Sequence, residues 1–221
     1  MKNFALVAGL VALIAVGAWA ADMVVEKAPP PTSMVESPNY DATVELKWDS
    51  GASSWLIVWY TGAGAWVAND FDISTVKTYP HIQNIKMYCY MAWPNGRWDG
   101  FRLGVYSFPG GVPGSLIWGP EFVMPTITGW NNFSVDWTLP SGLKKFLPAM
   151  EQFYNYPNCD PHVVDNIPGN SGHSWLYYGG TWGPLTNGTG YYNLMLRVIM
   201  DNEHNPGVEP TSVGRVKALY F

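Results

Sequence analysis

Four side chains able to hold a divalent cation fall within fourteen positions: Asp160, His162, Asp165 and His173. Imidazole nitrogen and carboxylate oxygen are the usual ligands of zinc and its neighbours. Their spacing matches no recognised ligand motif, and Pro161 and Pro168 mark the segment as turn-rich surface. They stand as metal candidates on ligand chemistry alone. The chain has two cysteines, Cys89 and Cys159. In an oxidising compartment they could close a disulfide across a long loop, worth about 4–5 kcal/mol if unstrained. The other reading keeps Cys89 as a small apolar residue on the inner face of a strand, with Cys159 in the turn Pro157-Asn158-Cys159-Asp160-Pro161. Both readings stay open.

Aromatic residues are the second chemical signal: 12 Trp, 13 Tyr and 9 Phe. Trp93 and Trp98 flank Pro94-Asn95-Gly96-Arg97, Asp99 follows directly, and Trp182 comes just after Gly179-Gly180. A flat indole in a loop stacks on the apolar face of a sugar while nearby Asp or Asn accepts hydroxyl hydrogen bonds. Trp93, Trp98, Asp99 and Trp182 are therefore candidate ligand-binding residues, with a polysaccharide or another cell-surface component as partner. The alternative folds these rings over the open ends of a sandwich. Nucleophilic catalysis has no signature, because Ser115 and Ser171 lack the spacing of a G-x-S-x-G elbow. Paired carboxylates for glycoside hydrolysis meet only in space, so a glycan-active hydrolase, or a purely structural surface protein, remains the rival to a non-enzymatic binding module. No catalytic residue is assigned, and no motif asks for a cofactor.

Strands must position these groups. Ile85, Met87, Cys89 and Met91 alternate with Asn84, Lys86, Tyr88 and Tyr90, the period of a half-buried strand. Phe101, Leu103 and Val105 repeat it, and the two runs read as an antiparallel pair joined by the aromatic-rich loop. Val44, Leu46 and Trp48 form an earlier strand. Trp55 to Tyr60 reads as a strand buried on both sides, with Ala65 to Phe71 as its partner across Thr61-Gly62-Ala63-Gly64. Glu121 to Val123, Phe133 to Leu139, Ser174 to Tyr178 and Tyr191 to Met200 follow. In the last, Tyr192, Leu194, Leu196, Val198 and Met200 share one face. Leu143 to Tyr156 has helical spacing, but Pro148 would cost about 3 kcal/mol inside a helix, so a strand with a bulge near Pro148 is expected. Short runs separated by Gly/Pro turns predict an all-β, two-sheet antiparallel sandwich of jelly-roll-like form.

The ends give an address. Lys2, the apolar run from Phe4 to Val16 and Ala18-Trp19-Ala20 form a basic start, an apolar middle and a small-residue processing site. Residues 1–21 therefore read as a signal peptide, 22–40 as a Pro-rich linker and 41–201 as the sandwich. Residues 202–221 read as a C-terminal linker or the start of a further module. No transmembrane span remains after cleavage, and the mature chain is expected outside the cytoplasm. It should begin at or just after Ala21; mass measurement of secreted protein that still carried Lys2 to Ala18 would refute this. A net charge of −5 with no basic cluster argues against nucleic acid as partner.

Several runs together resemble a known kind of domain. Phe101-Arg-Leu-Gly-Val-Tyr with Gly110-Gly-Val-Pro-Gly-Ser-Leu is similar to the strand-and-turn pattern of a β-sandwich in exported bacterial surface proteins. So are His173-Ser-Trp-Leu-Tyr-Tyr-Gly-Gly-Thr-Trp and Asn193-Leu-Met-Leu-Arg-Val. Such proteins often carry a sorting module for type IX secretion. The resemblance implies a jelly-roll-like fold and a surface or extracellular location, and no particular reaction.

Overall fold

Period-two hydrophobicity broken by glycine and proline yields fifteen strands in the structure, a computed structural model that describes residues 22–28, 43–75, 78–165, 172–186 and 191–202. They are β1 (Met23–Lys27), β2 (Thr43–Leu46), β3 (Trp55–Trp59), β4 (Ala65–Asn69) and β5 (Phe71–Asp72). The middle of the chain gives β6 (Thr78–Cys89), β7 (Phe101–Ser107), β8 (Leu116–Val123), β9 (Gly129–Thr138) and β10 (Lys145–Gln152). The last third gives β11 (His162–Asp165), β12 (Ser174–Tyr178), β13 (Thr181–Pro184), β14 (Asn193–Leu194) and β15 (Leu196–Asn202). The expected signal peptide, most of the expected linker and the segment from residue 203 lie outside the described residues.

One layer is a seven-stranded antiparallel sheet in the order β13-β12-β4-β10-β7-β8, with β5 also on β10. The other layer consists of two four-stranded sheets, β1-β3-β11-β14 and β2-β15-β6-β9. These two are laced together by one run of chain, since β14 and β15 are separated only by Met195. Its N–H donates to the Val163 carbonyl and its own carbonyl accepts from the Tyr88 N–H. Between the layers lies a continuous core that includes Ile57, Trp59, Val67, Ile85, Met87, Leu103, Val105, Phe146, Leu196 and Val198. Each such side chain contributes about 1.5–3 kcal/mol by leaving water. The all-β antiparallel sandwich is the fold that the alternation predicts.

Three expectations about pairing are corrected. β6 and β7 are not partners: β6 lies between β15 and β9, and β7 between β10 and β8. The eleven residues from Tyr90 to Gly100 carry the chain from one layer to the other, whereas hairpin loops are typically about 2–5 residues. Likewise β3 and β4 sit in different sheets. The Gln152 side chain closes the gap between them, accepting from the Trp59 N–H at 2.9 Å and donating to the Trp59 carbonyl at 2.8 Å. The third concerns Pro148, which lies in β10 with unbroken register against β7. No bulge is needed, because on its other side β10 changes partner from β5 to β4 just there. The missing N–H therefore faces a break in the neighbouring strand rather than a ladder. A further revision concerns the linker: Met23–Lys27 pairs with β3 along its whole length, so the sandwich starts well before residue 41.

The turn Gly179-Gly180 joins β12 to β13 as a two-residue hairpin, with φ of 60° and 88°. Both central positions need φ > 0 in such a turn, which glycine adopts freely.

Candidate functional site

The loop between β6 and β7 is held by its own polar side chains. Asn95 Oδ1 accepts from the Arg97 N–H at 3.1 Å, and Asn95 Nδ2 donates to Asp99 Oδ2 at 2.5 Å and to the Pro157 carbonyl at 2.7 Å. Arg97 Nε donates to Asp99 Oδ1 at 2.8 Å, and Arg97 Nη2 to Asn158 Oδ1 at 3.1 Å. Beneath them, Asp160 Oδ2 accepts from the N–H groups of Asp99 and Gly100 at 3.1 and 2.6 Å. Two loops distant in sequence are thereby fixed to each other. Burial of Asp160, with Asp99 nearby acting in the same sense, pushes its carboxyl up to about 6 despite the two donors.

Between these loops opens a cleft of about 530 Å³, at the end of the large sheet where β7 begins and β8 and β10 finish. Arg97, Trp98 and Asp99 contribute one wall; Phe122, Met124, Tyr154 and Asn158 complete it. Phe122, Met124 and Tyr154 are 50, 46 and 46% exposed. Exposed apolar side chains thus sit directly beside a polar wall. Arg97 uses two N–H donors within the protein and has five, so its guanidinium retains donors for a ligand. The cleft can thus offer flat rings together with directed hydrogen bonds, which is the chemistry of sugar recognition.

Of the residues singled out from the sequence, Trp98 and Asp99 line this cleft. Trp93 does not; it is half-buried, packs beside Tyr156 at 6.1 Å and leans on the small cluster formed by Leu56, Tyr88 and Val163. Trp182 lies elsewhere, on β13 at the edge of the large sheet, packed against Tyr106 and Tyr177. The four metal candidates are dispersed rather than convergent. Asp160 anchors the loop just described, and His162 is fully buried on the core face of β11 against Trp59. Asp165 accepts from the Ser50 N–H and from Asn193 Nδ2, while His173 pairs with Asp70 and stacks on Trp48 at 3.7 Å. Among the described residues no group of three His, Cys, Asp or Glu side chains converges on one point. Alternation sends His162 and Asp165 to opposite faces of β11, while Asp160 and His173 lie outside the strands, next to different neighbours.

Cys89 and Cys159 are both free and buried. Burial pushes both thiols up, Cys159 to about 12, and the nearby Asp160 acts in the same direction. They are held as inert thiols, not thiolates. Sequence reasoning missed Phe122 on β8, and Met124, Tyr154 and Asn158 in the loops that follow β8 and β10; sheet order is what brings these loops to the one between β6 and β7.

These features define an antiparallel β-sandwich with an open aromatic cleft at one end of its larger sheet. Solved structures that share the fold include the following two. One is the crystal structure of the cysteine protease and lectin-like domains of Cwp84, a surface layer associated protein of Clostridium difficile, with a TM-score of 0.55 and 15% identity over 75% of this chain and 37% of that one. The other is a clostridial cysteine protease Cwp84 variant after propeptide cleavage, with a TM-score of 0.50 and 16% identity over 75% of this chain and 42% of that one. The chain spans less than half the length of either. No protein-family model and no curated protein matches it. Among the described residues no helix is long and apolar enough to cross a membrane.

Proposed function

We propose that the protein is a non-enzymatic carbohydrate-binding module of the cell surface or extracellular space, taking a glycan into the cleft between Trp98 and Tyr154. The observation that carries this reading is the cleft itself, in which exposed rings face an ordered Arg97–Asp99–Asn158 network. The fold shared with a chain that includes a lectin-like domain supports it. Export by the signal peptide is part of the proposal. Binding is favoured over hydrolysis because the cleft is lined by one carboxylate, Asp99, whose two oxygens are taken by Arg97 and Asn95. A glycosidase needs two carboxyl groups about 5–10 Å apart across the scissile bond.

A glycan array probed with the purified protein tests the proposal. Tyr154→Ala and Phe122→Ala should each lose retention on the glycan that wild type captures. Because both rings are about half exposed, the melting temperature should move by only a few degrees. Capture undiminished in both variants, or release of reducing ends from the glycan, would count against the reading.

A further inference from the structure

The register of the large sheet places one residue from each of six strands side by side on its outer face. Trp182 pairs with Tyr177, Tyr177 with Trp66, Trp66 with Glu151, Glu151 with Arg102, and Arg102 with Phe122. Directly paired residues point to the same side of a sheet, and adjacent strands lie about 4.8 Å apart, so this row runs about 24 Å. It follows the same end of the sheet as the cleft, and Phe122 belongs to both.

We infer that the ligand is an extended, neutral polysaccharide chain, which leaves the cleft over Phe122 and continues along this row to Trp182. The inference rests on the cleft reading and adds the length and charge class of the ligand. The rings form a connected surface: Tyr177 and Trp182 are 5.3 Å apart, Tyr106 and Trp182 5.2 Å, and Trp66 and Tyr106 5.5 Å. Trp66 lies down on the sheet because its neighbours are small. A Cβ on Gly104 would come within 3.2 Å of the indole, and Ala68 and Ala149 are fully covered. The result is a shallow floor in which Trp66 is only 7% exposed, with partly exposed Tyr106, Tyr177 and Trp182 around it, rather than a deep apolar pocket that a protein side chain could fill.

The charges on the row cancel internally. Glu151, 2% exposed, receives Arg102 through two contacts of 2.5 Å, and the guanidinium also lies 4.9 Å from the Phe153 ring. An anionic polymer would find no unpaired cation in the row, whereas a neutral chain requires none. Phenol groups supply the hydrogen bonding. Burial and the nearby Glu151 push Tyr106 up to about 12, so it keeps its proton at any physiological pH.

Calorimetric titration with ladders of neutral gluco-, manno- and galacto-oligosaccharides, from one residue to ten, tests the inference. Wild-type affinity should rise with length beyond what the cleft alone can hold. Trp182→Ala should weaken the longest members at least tenfold and leave the short ones unchanged, whereas Tyr154→Ala should weaken both. Tyr177→Phe, which keeps the packing and deletes one hydroxyl, should show a smaller loss confined to long chains. Long-chain affinity within twofold of wild type in Trp182→Ala, with Tyr154→Ala inactive, would overturn the extended row and leave the cleft. Tighter binding of polyuronate than of any neutral chain would also overturn it. Loss of self-association in Trp182→Ala, without length dependence on any glycan, would assign the face to a second copy and reject the inference. If wild type binds no ladder at all, the cleft reading falls with it.

Discussion

Arg197→Met will destabilise the protein by about 3–5 kcal/mol, read as a lower urea midpoint at pH 7. Arg197 is only 5% exposed and holds Asp49 through Nη2 at 2.6 Å and Nε at 3.0 Å. Its Nη1 reaches Glu45 at 3.2 Å, and the guanidinium lies 3.9 Å from the Trp130 ring. Methionine preserves the aliphatic stem but strands Asp49, which is 4% exposed and would keep, among the described residues, the Gly51 N–H at 2.9 Å. Glu45 is less affected because Lys86 remains at 3.0 Å. A buried carboxylate that loses its cation is costly, whereas removing both charges together is often close to neutral. The pair Arg197→Met with Asp49→Leu should therefore recover much of the loss. A single variant costing less than 1 kcal/mol would show that this ion pair does not hold β15 to the loop after β2.

Arg197 also illustrates where the sequence stops being legible. Alternation in Tyr192 to Met200 correctly assigns the apolar side to the core, where Leu194 to Met200 are 1% exposed or less at alternate positions. The same alternation marks Asn193 and Arg197 as the opposite face, without revealing that this face is buried too, because Asp49 is 148 residues away. A period of two fixes which side of a strand is wet and is silent about the neighbouring strand. That is why β6 and β7 read as a hairpin although they lie in opposite layers. Sheet order also decides the site. Trp98 and Asp99 are visible as aromatic and acid in a turn, but Phe122 and Tyr154 reach them only because β8 and β10 end where β7 begins. The six-residue row across the large sheet joins positions from Trp66 to Trp182 and has no linear signature at all. The cluster Asp160 to His173 fails in the opposite way, since nearness in sequence suggested a shared site that the strands take apart.

His162 and Asp160, two positions apart, should give the protein opposing pH dependences that conceal each other. His162 is fully buried and neither ring nitrogen has a hydrogen-bond partner among the described residues. Burial drives its pKa down to about 3. An imidazole held neutral in the fold contributes stability above about pH 6.5 and loses it as pH falls towards 3, because the unfolded chain takes up the proton first. The slope is about 1.4 kcal/mol per pH unit, on the order of 4–5 kcal/mol over the whole window. Asp160 acts with the other sign, because its folded pKa is raised to about 6. Its contribution is complete below about pH 3.8 and disappears as pH rises through 6. Between about pH 4 and 6 the folded chain holds one proton on Asp160 and the unfolded chain one on its histidine, so the two slopes cancel. Asp160→Asn keeps an acceptor for the Asp99 and Gly100 N–H groups but deletes the titration, and should expose an acid-labile protein over that window. His162→Leu should do the reverse, growing more stable from pH 6 to 4, and should gain about 1–3 kcal/mol at pH 7 by removing an unpaired buried polar ring. Urea denaturation of the three proteins at intervals from pH 4 to 7 separates the terms. Parallel profiles for wild type and His162→Leu would mean that the histidine is hydrated or partnered in solution, and the cancellation would then be rejected.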